Sequence, residues 1–184
     1  MVQKHLQDEN DFAAYDAGFK KWIKEGYLER VPAGFCKNER YLAHFPARKA
    51  NDPTKVRPVF DGRARFFGKS LNDAMFAGPP LMNDLVGVLL RFRNGSIGLT
   101  TDVGDMFLRV GLKEEDRPFV RVLWFEGNET VSYQFTAFAF GMACAPTVAM
   151  YTVRSNARRN FEEFPEAALT AERDIIVDDI ATSV

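Results

Sequence analysis

Two adjacent carboxylates, Asp178-Asp179, stand between the strand-forming residues Ile175-Ile176-Val177 and Ile180, and no other feature restricts the fold of this chain as much. Charge set inside an apolar β segment is costly to bury unless it is paired or bound. The chain must therefore turn at the pair or offer it to a cation, and a divalent metal with oxygen ligands suits the second role. Asp-Asp between strand formers is also what an ordinary hairpin turn looks like. Asp102 bears on the choice. It ends another strand-like run, Ile97, Leu99, Thr100 and Thr101, and is followed by Val103-Gly104-Asp105-Met106-Phe107. The period of two puts Gly98, Thr100 and Asp102 on one face, and it puts Asp174, Ile176 and Asp178 on one face of the later segment. Neighbouring strands of one sheet would then bring Asp102 and Asp178 together. Such a pair can hold two magnesium ions about 3.5–4 Å apart.

The chain has 184 residues, 46% of them hydrophobic, enough for one domain or a compact two-lobed one. A net charge of −1 and a pI near 6.2 give no support for nucleic-acid binding from bulk composition. Locally the balance differs. Between Ala47 and Lys69 the basic residues Arg48, Lys49, Lys55, Arg57, Arg63, Arg65 and Lys69 face only Asp52 and Asp61. That segment reads either as a phosphate-facing patch or as a solvated basic surface. Cys36, Cys144, His5 and His44 have no zinc-like spacing and are too few for a disulfide framework. The first ten residues are polar and charged, so no signal peptide is expected. The uncharged stretch from Thr130 to Val153 is broken by Ser132, Gln134, Gly141 and Pro146 and begins as a strand, so no membrane span is expected.

Phe12, Tyr15, Phe19, Trp22 and Ile23 recur at helical spacing, predicting an amphipathic helix from about Asn10 to Glu25. Pro32, Gly34 and Pro46 predict a loop around Tyr41 to Phe45, in which His44 has a structural role. Lys55 to Phe60 reads as a strand, Gly78-Pro79-Pro80 as a sharp turn, and Asn83 as the cap of a helix with Leu85, Val88, Leu89 and Phe92 on its apolar side. Phe119 to Phe125 and Thr130 to Phe135 flank a hairpin signal at Gly127-Asn128, and Ala145 to Phe161 reads as a helix opened by Pro146. This order predicts an α+β fold with a mostly antiparallel sheet.

Three segments, Thr101-Asp102-Val103-Gly104-Asp105-Met106-Phe107, Phe140-Gly141-Met142-Ala143-Cys144-Ala145-Pro146 and Ile176-Val177-Asp178-Asp179, follow the order and rough spacing of reverse transcriptase palm motifs. Arg57 within Lys55-Val56-Arg57-Pro58-Val59-Phe60-Asp61 resembles the fingers motif of those enzymes. Ser70-Leu71-Asn72-Asp73, Gly78-Pro79-Pro80-Leu81, Asp84-Leu85 and Leu89-Leu90-Arg91-Phe92-Arg93 resemble the Bel/Pao class of LTR retrotransposons. The resemblance covers about residues 40–184, with an N-terminal helix and loop over 1–39.

It implies a right-hand polymerase palm with part of the fingers, an RNA-directed DNA polymerase adding deoxynucleotides to a primer on an RNA or DNA template. Asp102, Asp178 and Asp179 would be catalytic, with Asp102, Val103 and Asp178 on two Mg²⁺ ions for which Mn²⁺ can substitute. Arg57, Val103, Gly104, Phe107, Phe140 and Gly141 would meet the nucleotide, Phe107 as the sugar gate. Lys55, Arg63, Arg65 and Lys69 would meet nucleic acid. As a plain sequence feature Phe107 reads as a core phenylalanine. The chain departs from the family at Ile176, where an aromatic residue is usual, and it ends before a primer grip, thumb or RNase H region. A fragment of a longer polyprotein is expected, in the cytoplasm or a virus-like particle for an active element. The alternative is an inactive remnant kept as a nucleic-acid-binding or interaction module; a two-metal nuclease or phosphatase shares the carboxylates but gives no role to Phe107 or Phe140-Gly141.

Overall fold

In the computed structural model, residues 9–31, 38–49 and 52–184 are described. Helix α1 (Glu9–Lys24) forms where the aromatic spacing predicts it. Its apolar side packs on Trp124: Phe19 lies flat on the indole with ring centroids 4.2 Å apart, and Tyr15 meets it edge-on at 5.3 Å. The chain divides into two compact units, one of residues 1–76 and 111–143, the other of residues 77–110 and 144–184.

The first unit holds α1 and strands β1 (Leu28–Arg30), β2 (Ala43–Lys49) and β3 (Asp52–Asp61), together with β5 (Arg121–Glu126) and β6 (Glu129–Phe135). Its antiparallel strands form a three-stranded sheet in the order β1-β6-β5 and a β2-β3 ribbon. The β5-β6 turn is Gly127-Asn128, with Gly127 at φ +60°. The loop expected around Tyr41 to Phe45 is instead a bridge at Tyr41 followed by β2. Pro46 does not stop that strand because it sits opposite Pro58. A two-stranded ribbon has free edges, and prolines sharing one register position can both turn their missing N–H outward. Residues 32–37 of that expected loop lie outside the described residues. His44 is structural: its Nε2 donates to the Leu123 carbonyl at 3.1 Å and its Nδ1 accepts from the Tyr15 hydroxyl at 2.8 Å. Burial lowers its pKa and keeps it neutral.

The second unit holds α2 (Leu85–Phe92), β4 (Gly98–Asp102), α3 (Ala145–Arg159), α4 (Pro165–Arg173), β7 (Ile175–Ile176) and β8 (Asp179–Ser183), its antiparallel sheet ordered β4-β8-β7. Asn83 is not the cap of α2. Asp84 is, accepting from the Gly87 N–H at 2.7 Å. The Asn83 amide instead donates to the carbonyls of Glu172 and Ile175, both at 2.9 Å, and accepts from Arg154. Two good capping residues in succession made the choice ambiguous from sequence. Met106, Ala149, Met150 and Ile175 form the buried centre. The uncharged stretch from Thr130 to Val153 divides between β6 and α3, and among the described residues no helix is long and apolar enough to cross a membrane.

Candidate functional site

The acidic residues converge through backbone register. Ile97 and Val184 exchange both backbone hydrogen bonds, at 2.9 and 3.0 Å, which fixes the alternation along β4 and β8. Counting inward from that pair makes Asp102 and Asp179, which are register partners, a non-hydrogen-bonded pair, the closer of the two kinds. Their side chains share one face, and like charges placed this way repel. The strand count that groups Asp178 with Ile176 ends at Val177, because the chain turns there. Asp178 lies in the turn, and its carbonyl accepts from the Val103 N–H at 2.7 Å. Register thus sets Asp179 opposite Asp102 and holds Asp178 beside Val103. All three carboxylates are exposed.

The turn is strained. Val177, β-branched, has φ +57°, a conformation uncommon for such a residue and costing on the order of 1–3 kcal/mol. Asp105, in the loop after Asp102, also lies in the left-handed region at φ 54°. That loop carries the exposed Gly104 and then a 3₁₀ turn over Met106–Arg109. Phe107 is half-buried and packs on the Met106, Ala149, Met150 and Ile175 cluster, so it contributes to the core whatever else it does. The Val103 carbonyl accepts from the Met106 N–H at 3.2 Å, which leaves one lone pair. Close carboxylates with no basic partner among the described ion pairs are a donor set that suits a hard divalent cation. Among the described residues no group of three or more His, Cys, Asp or Glu side chains is gathered as a metal site.

Beneath the acidic hairpin sits a carboxylate that sequence reasoning grouped with the site but did not explain. Asp174 is 0% exposed and accepts from Arg91 at 2.7 Å, from Arg173 at 2.8 and 3.0 Å, and from the Thr182 hydroxyl at 2.9 Å. Burial, the largest influence, raises its pKa; the hydrogen bonds from Arg173, Arg91 and Thr182 outweigh it and hold the carboxyl at about 2. It is a brace, because its bonds tie α2 and β8 to the start of β7.

In the first unit, Gly141 has φ +91°, and a Cβ there would meet the Phe60 carbonyl oxygen at 2.1 Å. The fold alone demands glycine at this position. Asn72, missed as a functional residue, organises the neighbourhood. Its amide donates to the Gly141 carbonyl at 3.0 Å, and its Oδ1 accepts from the Ala143 N–H at 2.9 Å. Phe140 beside it is exposed.

The basic segment resolves into distinct roles. Arg48 pairs with Asp11, and Arg65 donates to the Gly68 carbonyl at 2.7 Å and lies 3.4 Å from Asp73. Arg57, Arg63 and Lys69 are exposed and have no ion-pair partner among the described residues. The side chains of Lys49 and Lys55, like Cys36 and His5, lie outside the described residues.

No family model matches the chain, and no curated protein matches it. Solved structures do. A foamy viral protease–reverse transcriptase in complex with double-stranded DNA matches with a TM-score of 0.65 and 16% identity over 93% of this chain and 26% of that one. The native prototype foamy virus protease–reverse transcriptase gives 0.65 and 17% over 96% and 20%, respectively. Its CSH mutant gives 0.67 and 16% over the same shares, 96% and 20%. The chain thus spans about a quarter or less of the length of these proteins. The likeness shows the fold: an α+β arrangement related to that of retroviral protease–reverse transcriptase chains.

Proposed function

We propose that this chain is a nucleic-acid-binding module built on a reverse-transcriptase fold, with the second unit as its palm and the first as part of its fingers. The observation that carries the reading is the set of exposed cations on β3 and the loop after it, Arg57, Arg63 and Lys69, without ion-pair partners among the described residues. Cations left exposed in this way are free to replace the counterions of a phosphate backbone. The solved structure that was determined with double-stranded DNA supports a nucleic-acid ligand for this fold. Assignment to the Bel/Pao class rests on the sequence motifs. The test is binding of a primed template in low salt: Arg63→Glu with Lys69→Glu should weaken it several-fold, and undiminished binding would remove this face from the function.

A second reading, template-directed nucleotide addition, is favoured by one observation, the close Asp102 and Asp179 pair beside the strained Val177-Asp178 turn. Asp102, Asp178 and the Val103 carbonyl would hold Mg²⁺ or Mn²⁺, with Asp179 as the neighbouring carboxylate. The ions would supply charge neutralisation as phosphorus is attacked. The carboxylates would set where the cations sit, the Val103 N–H holds the Asp178 backbone in position, and Gly104, with no side chain, would let phosphate approach the backbone. The nucleotide-facing roles of Arg57, Phe107, Phe140 and Gly141 come from the resemblance alone. Primer extension with Mg²⁺ that Asp102→Asn abolishes would establish this reading; extension that survives the substitution would exclude these carboxylates.

A further inference from the structure

Between Arg63 and Lys69 the chain makes a further tight hairpin that the reading above does not use. Phe66 and Lys69 exchange backbone hydrogen bonds at 2.9 and 3.2 Å, leaving Phe67 and Gly68 as the two turn residues, with φ 48° and 77°. Positive φ at both central positions is the geometry that favours Asn-Gly or Gly-Gly. A phenylalanine in the first position is costly, and its ring packs on Phe66, itself solvent-exposed, rather than into a core. Phe67 is 91% exposed and Phe66 72%, and the two rings touch each other edge to face at 4.5 Å.

The hairpin is nonetheless held firmly from below. Arg65 donates to the Gly68 carbonyl and lies against Asp73. Asp73 accepts from the Ser70 N–H at 3.0 Å, while the Ser70 hydroxyl accepts from the Asp73 N–H at 3.1 Å. Arg40 donates to the Lys69 carbonyl. A braced turn thus presents two bare aromatic rings between the exposed cations Arg63 and Lys69. We infer that this hairpin is a stacking platform for the unpaired bases of a single-stranded nucleic acid, with Phe66 and Phe67 against base faces and Arg63 and Lys69 on the flanking phosphates. Charge complementarity selects the occupant, and aromatic rings between cations are the combination that single strands use. The inference rests on the nucleic-acid-binding reading and names the strand type it takes.

The test measures three things on the full chain: anisotropy of a labelled twelve-nucleotide oligothymidine, anisotropy of a fully base-paired duplex, and the melting temperature. Phe67→Asn supplies the Asn-Gly dipeptide that such turns favour, so stability should hold or rise while single-strand affinity falls about tenfold, the size of one lost stack. The paired variant Phe66→Leu with Phe67→Leu keeps apolar bulk without an aromatic face and should weaken single-strand binding while leaving duplex binding unchanged. Unchanged single-strand affinity in both variants overturns the platform while leaving the broader reading intact. A wild type that binds neither nucleic acid overturns both. Sedimentation with phosphatidylserine vesicles that the Leu variant retains, without preference for single strands, overturns it in favour of a membrane-facing tip.

Discussion

The Phe66–Lys69 and Ile176–Asp179 hairpins are built alike and charged oppositely. Each turns on two residues, each carries a non-glycine side chain at positive φ, Phe67 in one and Val177 in the other, and each is braced by a carboxylate taking hydrogen bonds from an arginine. They differ in where the brace sits. Asp174, under the acidic hairpin, is fully buried, whereas Asp73, under the basic one, is exposed. They differ also in what the strained side chain touches: Val177 is half-buried, and Phe67 stands almost wholly in solvent. Strain at Val177 has packing to offset it. Strain at Phe67 is set against a contact with the exposed Phe66 ring rather than core packing, and this difference directs attention to a ligand there.

The braces separate the hairpins most widely. Asp174→Ala removes the buried acceptor of bonds from Arg91, Arg173 and Thr182 and should cost about 1.5–3 kcal/mol, seen as a clear drop in the denaturation midpoint. Asp73→Ala should lower that midpoint much less, because its ion pair with Arg65 is exposed and contributes little, leaving the bond from the Ser70 N–H as the main loss. Equal effects would erase the distinction between a buried and an exposed brace.

Acid should show the same asymmetry on a smaller scale. The folded-state pKa of Asp174 is depressed to about 2, so its contribution is complete above the unfolded carboxylate value near 4 and is lost as pH falls through about 2. Roughly 1–2 kcal/mol should disappear across that window. Melting followed from pH 5 to pH 2 should show a loss that Asp174→Asn, already destabilised, no longer shows.

Smaller still is the repulsion in the acidic pair. In metal-free protein Asp102→Asn should raise stability by about 0.2–1 kcal/mol by removing a like charge opposite Asp179, and it should weaken Mn²⁺ binding in titration. Asp52→Asn, in the basic segment, should do neither. Val177→Gly should gain no more than about 1 kcal/mol, since relief of positive φ is partly offset by lost packing and by the entropy of glycine.

How much of this was legible in the sequence follows from the range of each interaction. Helix α1, the Gly127-Asn128 hairpin and α3 announce themselves through local periodicity and turn chemistry. Strand β2 was hidden because Pro46 argues against a strand unless its opposite neighbour is known to be Pro58. Helix α4 was missed; it follows α3 closely, and Pro165 reads as a stop until it is seen at the helix start. Period-two counting brought Asp178 to the end of the strand that carries Asp102, but the pairing of Asp102 with Asp179 depended on where the turn fell. Asp174, Asn72 and the bracing of the Phe66-Phe67 hairpin depend on partners distant in sequence or on backbone angles, which no pattern of residue types displays.

The measurement that bears most directly on nucleic-acid binding is the salt dependence of affinity for a primed template. Counterion release makes the logarithm of the binding constant fall linearly with the logarithm of salt, with a slope of about −0.7 to −0.9 per phosphate neutralised. The expected result is a clearly negative slope for the wild type that becomes shallower by about 1 to 2 when Arg63 and Lys69 are both replaced by Glu. Binding that is insensitive to salt, or a slope that the double replacement leaves unchanged, would contradict the assignment of this basic face to nucleic acid.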